Sequence, residues 1–407
     1  MNIILYDSFR RNSLLPLTFT RPTADVVTGI LTIREKWEKV FQQKSSSLTA
    51  SYLKKKFPLI ISEDNILIDG AIIPNQQLIE KILQLNIGES IYSPKGILAF
   101  RINDIDLKNL IHNKPENLFS TDYLEKGLSF FKFKKIEFSD MVSSVDCLSD
   151  IFMLNEQEIL NDFKMVTKGR VSHHISSTNT VFGDKNDIFI EEGAVLEGVT
   201  LNSKEGAIYI GKNAEIMEGS MIRGPFALRE HSLVKMGSKI YKGTTIGPYC
   251  KVAGEIQNVV IFGYSNKAHD GYFGNSVIGE WCNIGAGSNT SNLKNNYGHI
   301  TQWNYQKQNF EDTGLQFCGL IMGDHTKCGI NTMFNSGTVV GTCCNLFGID
   351  YHAKYIPSFS YGGIHSGYST YLPDKAIETA GIIFQRRNKK FDKTEQDILE
   401  YLFKNKK

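Results

Sequence analysis

The chain has 407 residues, enough for two domains that each bury a core of their own. Charged residues make up 22% and apolar residues 41%, and a formal net charge of +2 gives no electrostatic case for nucleic acid or a membrane surface. No stretch approaches the roughly 20 uninterrupted apolar residues of a membrane helix, and seven scattered cysteines argue against a disulfide framework and for a reducing cytoplasm.

Residues 1–150 mix strand-like runs, such as Asn2 to Tyr6 and Leu59 to Ile61, with helix-like stretches such as Arg34 to Lys44. This mixture predicts a small α/β domain. The first run is apolar but has no basic flank and no small-residue cleavage site, so it reads as a strand rather than a signal peptide. Behind it come Asp7, Arg10, Arg11 and Arg21, a set of charges suited to phosphate and Mg²⁺. From Lys134 to His174 the chain is expected to bridge two domains, with 151–187 as a linker. Within it, Ile151 to Asn155 and then Glu156 to Phe163 suggest a strand or turn entering a short helix.

Beyond residue 188 an apolar residue recurs every six positions: Ile210, Ile216, Ile222, Leu228, Val234, Ile240, Ile246 and Val252. Four residues after each sits a mostly small one, as at Ala214, Ser220, Ser232, Ser238, Thr244 and Cys250. The pattern begins upstream with Ile190 and Leu196, slips near Asn258, restarts at Ile278 and Ile284, and returns as Met322, Cys328, Phe334, Val340 and Leu346. A period of six fits neither an α-helix nor an alternating strand. It fits a left-handed parallel β-helix of hexapeptide repeats, with three short faces and about 18 residues per coil. The predicted fold is therefore an N-terminal α/β domain plus this β-helix over 188–373, closed by a C-terminal amphipathic helix over 374–407. Glycines such as Gly247, Gly279 and Gly323 follow the aliphatic position, where no bulky side chain is needed.

Cys250, Cys282, Cys328 and Cys344 fall in inward slots, where a thiol acts as a small hydrophobe. With no close C-x2-C pair, the sequence predicts no metal site. Between Leu293 and Gly314 an insertion carrying Trp303, Tyr305 and Phe310 interrupts the coils. Loops of this length without an element of their own are usually functional or disordered.

Several stretches carry a resemblance. Ser265-Asn266-Lys267-Ala268-His269-Asp270-Gly271-Tyr272, then Asn283-Ile284-Gly285-Ala286-Gly287, is similar to the acetyltransferase half of the GlmU-like family. Those proteins are relatives of the bifunctional N-acetylglucosamine-1-phosphate uridyltransferase and glucosamine-1-phosphate acetyltransferase. Ile222-Arg223-Gly224-Pro225-Phe226 and Gly319-Leu320-Ile321-Met322-Gly323-Asp324-His325 resemble its sugar-nucleotidyltransferase variant group. The resemblance implies acetyl-CoA-dependent N-acetylation of an amino sugar phosphate, glucosamine-1-phosphate-like, in sugar-nucleotide biosynthesis. It places His269 on the general base, Tyr272 on a sugar-phosphate contact and Asn283 on a sugar-site asparagine. Arg229 matches a phosphate-binding arginine across a one-residue gap. The chemistry agrees: an ammonium must lose a proton before it can attack a thioester, and histidine takes protons near neutrality.

Two departures stand out. The family's phosphate-site lysines fall here at Gln257 and Gly298, although Lys251 or Lys294 could compensate. Near the N-terminus, Leu15-Pro16-Leu17-Thr18-Phe19-Thr20-Arg21-Pro22 resembles the end of a sugar nucleotidyltransferase signature. The preceding Asp7-Ser8-Phe9-Arg10-Arg11-Asn12-Ser13, however, lacks the glycines that let backbone wrap a triphosphate. Two readings stay open: an altered site taking UTP or dTTP with Mg²⁺, or a reduced domain without nucleotidylyl transfer. The alternatives to acetyl transfer are sugar-1-phosphate nucleotidylyl transfer with the β-helix as trimerisation scaffold, and a non-catalytic relative that keeps the fold for sugar-nucleotide binding. In hexapeptide acyltransferases active sites form between subunits, so a homotrimer with His269 facing its neighbour is expected. The C-terminal segment has helical apolar spacing at Ile377, Ala380 and Phe384, and its Arg386, Arg387, Lys389 and Lys390 could meet CoA phosphates.

Overall fold

The computed structural model describes residues 1–111 and 120–406, which form two compact units. One is Met1–Val26 with Leu31–Cys147, and the other is Val27–Ile30 with Leu148–Lys407.

The N-terminal unit is built on a six-stranded sheet: β1 (Asn2–Tyr6), β2 (Ser46–Leu48), β3 (Asp64–Asp69), β4 (Glu89–Ser93), β5 (Gly96–Asn103) and β6 (Lys134–Glu137), in the order β2-β1-β3-β5-β4-β6. The strand β1 runs parallel to β2 and β3, while β5 is antiparallel to β3 and β4. Covered on both faces, the parallel strands need unbroken apolar runs, and Ile3, Ile4 and Leu5 are all buried. Leu59 to Ile61 joins no ladder. Its Leu59 and Ile61 pack against the core, and the strand follows instead at Asp64–Asp69. The predicted helix spans Ile33–Phe41, opened by a capping box between Thr32 and Glu35 and ended by left-handed Gln42.

The second unit is a parallel β-helix with three faces. Along the first face, Ile210, Leu228, Ile246, Ile261, Ile278, Met322, Val340 and Ile356 stand in register, each at most 2% exposed. The second face runs from Val195–Leu196 to Ser360–Gly363, and the third begins at Thr180–Phe182. The first coil strand therefore precedes residue 188.

The small second slot has a chemical role besides size. The corner N–H of the next coil points into it and needs an acceptor. Ser232 Oγ accepts from Cys250 N at 3.0 Å, Cys250 Sγ from Ser265 N at 3.3 Å, and Ser265 Oγ from Cys282 N at 2.9 Å. Burial raises these thiols, Cys250 and Cys344 to about 12, so they stay protonated. The glycines after the aliphatic slot are also more constrained than the repeat suggested. A Cβ on Gly247 would lie 2.7 Å from Ile261 O in the adjacent coil.

The slip near Asn258 is a change of coil length, and the core runs on through it. Ser232 and Cys250 are 18 residues apart, Cys250 and Ser265 only 15, and Ser265 and Cys282 17. The shortened coils keep Ile256, Ile261 and Phe273 inward. At the third-to-first corner they place Asn258 and Asn275 in the left-handed region, with φ of 52° and 46°. The insertion leaves from this same corner, and it does form an element: Thr301–Asn304 pairs antiparallel with Asn309–Asp312.

The stretch expected to be a linker holds an 18-residue helix, Asp150–Thr167, buried at Ile151, Phe152, Asn155 and Ile159. Asn155 accepts from Gly29 N and donates to Gly243 O, both at 2.7 Å, while Asp162 accepts from Ile30 N at 2.8 Å. These polar ties hold the helix and the Val27–Ile30 segment to the coils. At the C-terminus there are two helices where the sequence suggested one, Pro373–Gln385 and Lys393–Lys404. They are separated at left-handed Asn388, and the second is capped by Asp392.

Candidate functional site

His269 lies at the corner between the second and third faces, where Lys267 ends one strand and Tyr272 starts the next. Gly271 allows the turn: its φ is 127°, and a Cβ there would meet Ser288 O at 2.0 Å. The imidazole is exposed and makes no hydrogen bond or ion pair to another described residue. What holds this corner comes from inside the coil. Lys267 occupies the axial slot that Val252 and Ile284 fill in neighbouring coils, is 1% exposed, and donates from Nζ to the His269 carbonyl. Burial pushes its ammonium down to about 8, only partly offset by Asp270.

Tyr272 stands outward on the third face. Its ring lies over Gly274, where a Cβ would meet the hydroxyl at 2.3 Å, and its backbone N–H donates to Asn289 Oδ1 at 2.7 Å. The hydroxyl donates to Gln257 Oε1 at 3.3 Å and accepts from Asn292 Nδ2 at 3.0 Å. Burial raises this phenol, so it remains a neutral donor and acceptor. Asn292 Nδ2 also donates to Asn275 Oδ1 at 2.7 Å. Asn275 in turn donates to Asn258 at 3.0 Å, and Asn258 donates to the Gly243 and Phe152 carbonyls. This run of amides lines an open cleft of about 400 Å³, whose further walls include Glu156, Lys242, Gln316 and Phe317.

The other expected residues are distributed around this corner. Asn283 is exposed on the second face, one coil after Asn266, and Lys251 lies one coil before Asn266 in the same outward column. Asn266 accepts from Arg387 at 2.8 Å, which brings the C-terminal segment to this column. Lys389 sits 5.6 Å from the ring centroid of Tyr249 and 5.8 Å from that of Tyr264. Arg229 is not part of the group. It belongs to the first-to-second corner, two coils earlier, with Nε 3.3 Å from Glu230. That corner carries a stack of its own, in which Tyr264 and Trp281 lie 4.1 Å apart and Phe384 covers Trp281 at 3.9 Å.

In the N-terminal unit, Asp7, Arg10, Arg11 and Arg21 gather near the C-terminal ends of the parallel strands, where open α/β sheets bind ligands. All four are buried, and their polar atoms are turned on one another and on the fold. Arg10 binds Asp69 and Asp146 at 2.5 Å each and Lys95 O at 2.6 Å. Arg11 pairs with Asp7 at 3.0 Å, Asp7 also accepts from Thr23 N and Thr49 Oγ1, and Arg21 donates to Leu17 O. Burial raises the Asp69 carboxyl, opposed by Arg10. With each buried carboxylate matched to an arginine, the set does not fit a Mg²⁺ ion. Among the described residues no three His, Cys, Asp or Glu side chains converge as a metal site. Asp69, Asp146 and Lys95 were missed in the sequence. The pair Asp69-Gly70 closing an apolar run was the available signal for the first.

Among the described residues no helix is long and apolar enough to cross a membrane. Residues 3–171 match the family model described as sugar nucleotidyl transferase. The chain is also similar to bifunctional protein GlmU of Rippkaea orientalis, 25% identical over 216 residues, covering 48% of this chain and 43% of that protein. With the same protein of Methanococcus maripaludis strain C5 it is 24% identical over 236 residues, covering 58% and 50%. The chain thus spans about half the length of the curated relatives it matches. Among solved structures, a Francisella novicida UDP-N-acetylglucosamine acyltransferase aligns over 57% of this chain and 91% of that one, at 11% identity and a TM-score of 0.20. The chain is thus similar to GlmU proteins over about half its length, with residues 3–171 matching the sugar nucleotidyl transferase model and a β-helix in its second unit.

Proposed function

We propose that the β-helix transfers an acetyl group from acetyl-CoA to the amine of a sugar-nucleotide-related amino sugar, with His269 as general base. The observation that carries this reading is the corner itself. An exposed imidazole with no partner among the described residues stands three positions from a tyrosine that borders an amide-lined cleft. His269 takes the proton that the ammonium loses, the nitrogen attacks the thioester carbonyl, and the tetrahedral adduct collapses with release of the thiol. Tyr272 orients the sugar, and Asn283 and Lys251 border the other side of the corner. Arg387 and Lys389 supply positive charge for the CoA phosphates. A homotrimer bringing a neighbouring protomer against His269 completes this reading, and light scattering at micromolar concentration tests it.

The deciding experiment is thiol release from acetyl-CoA with glucosamine and its phosphates, comparing wild type with His269→Ala. Loss of general-base catalysis lowers turnover by about 10²–10⁴. Release that is unchanged in the variant, or absent with every amino sugar, refutes the assignment.

The family match over residues 3–171 favours a second activity, sugar-1-phosphate nucleotidylyl transfer in the N-terminal unit. Pyrophosphate release from UTP or dTTP with sugar-1-phosphates tests it, with Arg11 and Arg21 as the residues to replace.

A further inference from the structure

The cleft beside Tyr272 has about 400 Å³ of space, within the range of small-molecule sites. Apart from Glu156 and Lys242, its polar lining is made of amides and a phenol, groups that both donate and accept. Gln257 uses its amide oxygen on Tyr272, while its amide nitrogen has no partner among the described residues. Asn292 spends its amide nitrogen twice, and no described group donates to its side-chain oxygen. Gln316 donates to Tyr297 O, and its oxygen likewise has no described donor. Apolar surface sits beside them in Met153 and Phe317, the latter 45% exposed.

The charge inventory is what decides the ligand. Lys242 is the one cation lining the cleft, and its ammonium is 3.2 Å from Glu156, itself in the lining, and 3.4 Å from Glu205. Two carboxylates therefore flank one ammonium, and a phosphate would arrive with no uncompensated positive charge and a carboxylate nearby. Like-charge contact of this kind is unfavourable. A sugar hydroxyl, by contrast, donates and accepts at once, as these amides do, and the C–H face of a pyranose packs on aromatic and thioether surface.

We propose that this cleft binds the uncharged, hydroxyl-bearing ring of a sugar and rejects phosphate on that ring. This rests on the acetyl-transfer reading only for what the bound sugar then undergoes, since binding is measured without turnover. The test uses the full chain with N-acetylglucosamine, its 1-phosphate and its 6-phosphate, by calorimetry and saturation-transfer NMR. The neutral sugar is expected to bind about tenfold more tightly than either phosphate. Gln257→Ala and Phe317→Ala, both at exposed positions, should each weaken it about fivefold. Combining Gln257→Lys with Glu156→Gln should reverse the preference toward the phosphates. Equal or tighter phosphate binding by wild type, no binding of any of the three, or affinities unmoved by the cleft substitutions overturns the proposal. Neutral-sugar binding without His269-dependent thiol release removes the acetyl-transfer reading and leaves the cleft assignment standing. Thiol release with a phosphorylated acceptor preferred does the reverse.

Discussion

Lys267 gives the sharpest physical test of the His269 corner. Its ammonium is 1% exposed in an axial slot and contacts the His269 carbonyl and the face of Phe273, 5.4 Å away. Burial lowers its pKa from 10.5 to about 8, whereas in the unfolded chain it titrates near its ordinary value. At about 1.4 kcal/mol for each tenfold change in acidity, that gap is worth about 3 kcal/mol. The sign follows from proton counts. Below about pH 8 both states hold the proton, and the folded state carries the whole penalty of a buried charge. Between about 8 and 10.5 the folded state gives up its proton first, so the unfolded state binds more protons and stability rises with pH. Above that range both are neutral and the penalty is gone. Lys267→Met keeps the stem and removes the charge, and titrating groups away from Lys267 cancel between the two proteins. Guanidinium unfolding of wild type and variant at pH 7, 8.5 and 10 should therefore show wild type gaining on the variant by up to about 3 kcal/mol. A difference constant to within about 0.5 kcal/mol across this range would show that the ammonium is not held in the core.

Three further measurements probe other parts of the chain. Arg10→Ala leaves Asp69, which is fully buried, without its cation, and should destabilise the N-terminal unit by about 3–5 kcal/mol in denaturant unfolding; a cost under about 1 kcal/mol contradicts the buried pairing. Asn155→Ala removes the acceptor of Gly29 N and the donor to Gly243 O; it should cost about 1–3 kcal/mol and speed exchange of the Gly29 amide, and protection as in wild type would deny the tie. Six of the seven cysteines are buried and only Cys147 is exposed, so a thiol reagent under native conditions should find one fast equivalent, lost in Cys147→Ser.

How much of this was legible depends on whether the determining interaction is periodic. The coils were, because each aliphatic residue meets its own kind one coil away, and that contact writes itself into the sequence as a spacing. Lys267 was not. Coils of 15 and 17 residues shift the phase, so a lysine between Asn266 and Ala268 reads as outward although the register Val252↔Lys267 turns it inward. The second slot was legible as small but not as an acceptor, since its partner is a backbone N–H that leaves no mark on the sequence. The charges behind β1 were visible as charges. Their fate was set by Asp69 and Asp146, 59 and 136 positions from Arg10, which no local pattern connects. The amide cleft combines both kinds of blindness. Asn258 and Asn275 meet only because two coils are short, Asn292 joins them where the insertion departs, and Glu156 and Lys242 arrive from elsewhere in the unit. The resemblance pointed to His269 and Tyr272 because they lie three positions apart within one short motif. What the cleft accepts is set by residues that become neighbours only when the coils stack, and they surround one ion-paired lysine with neutral amides.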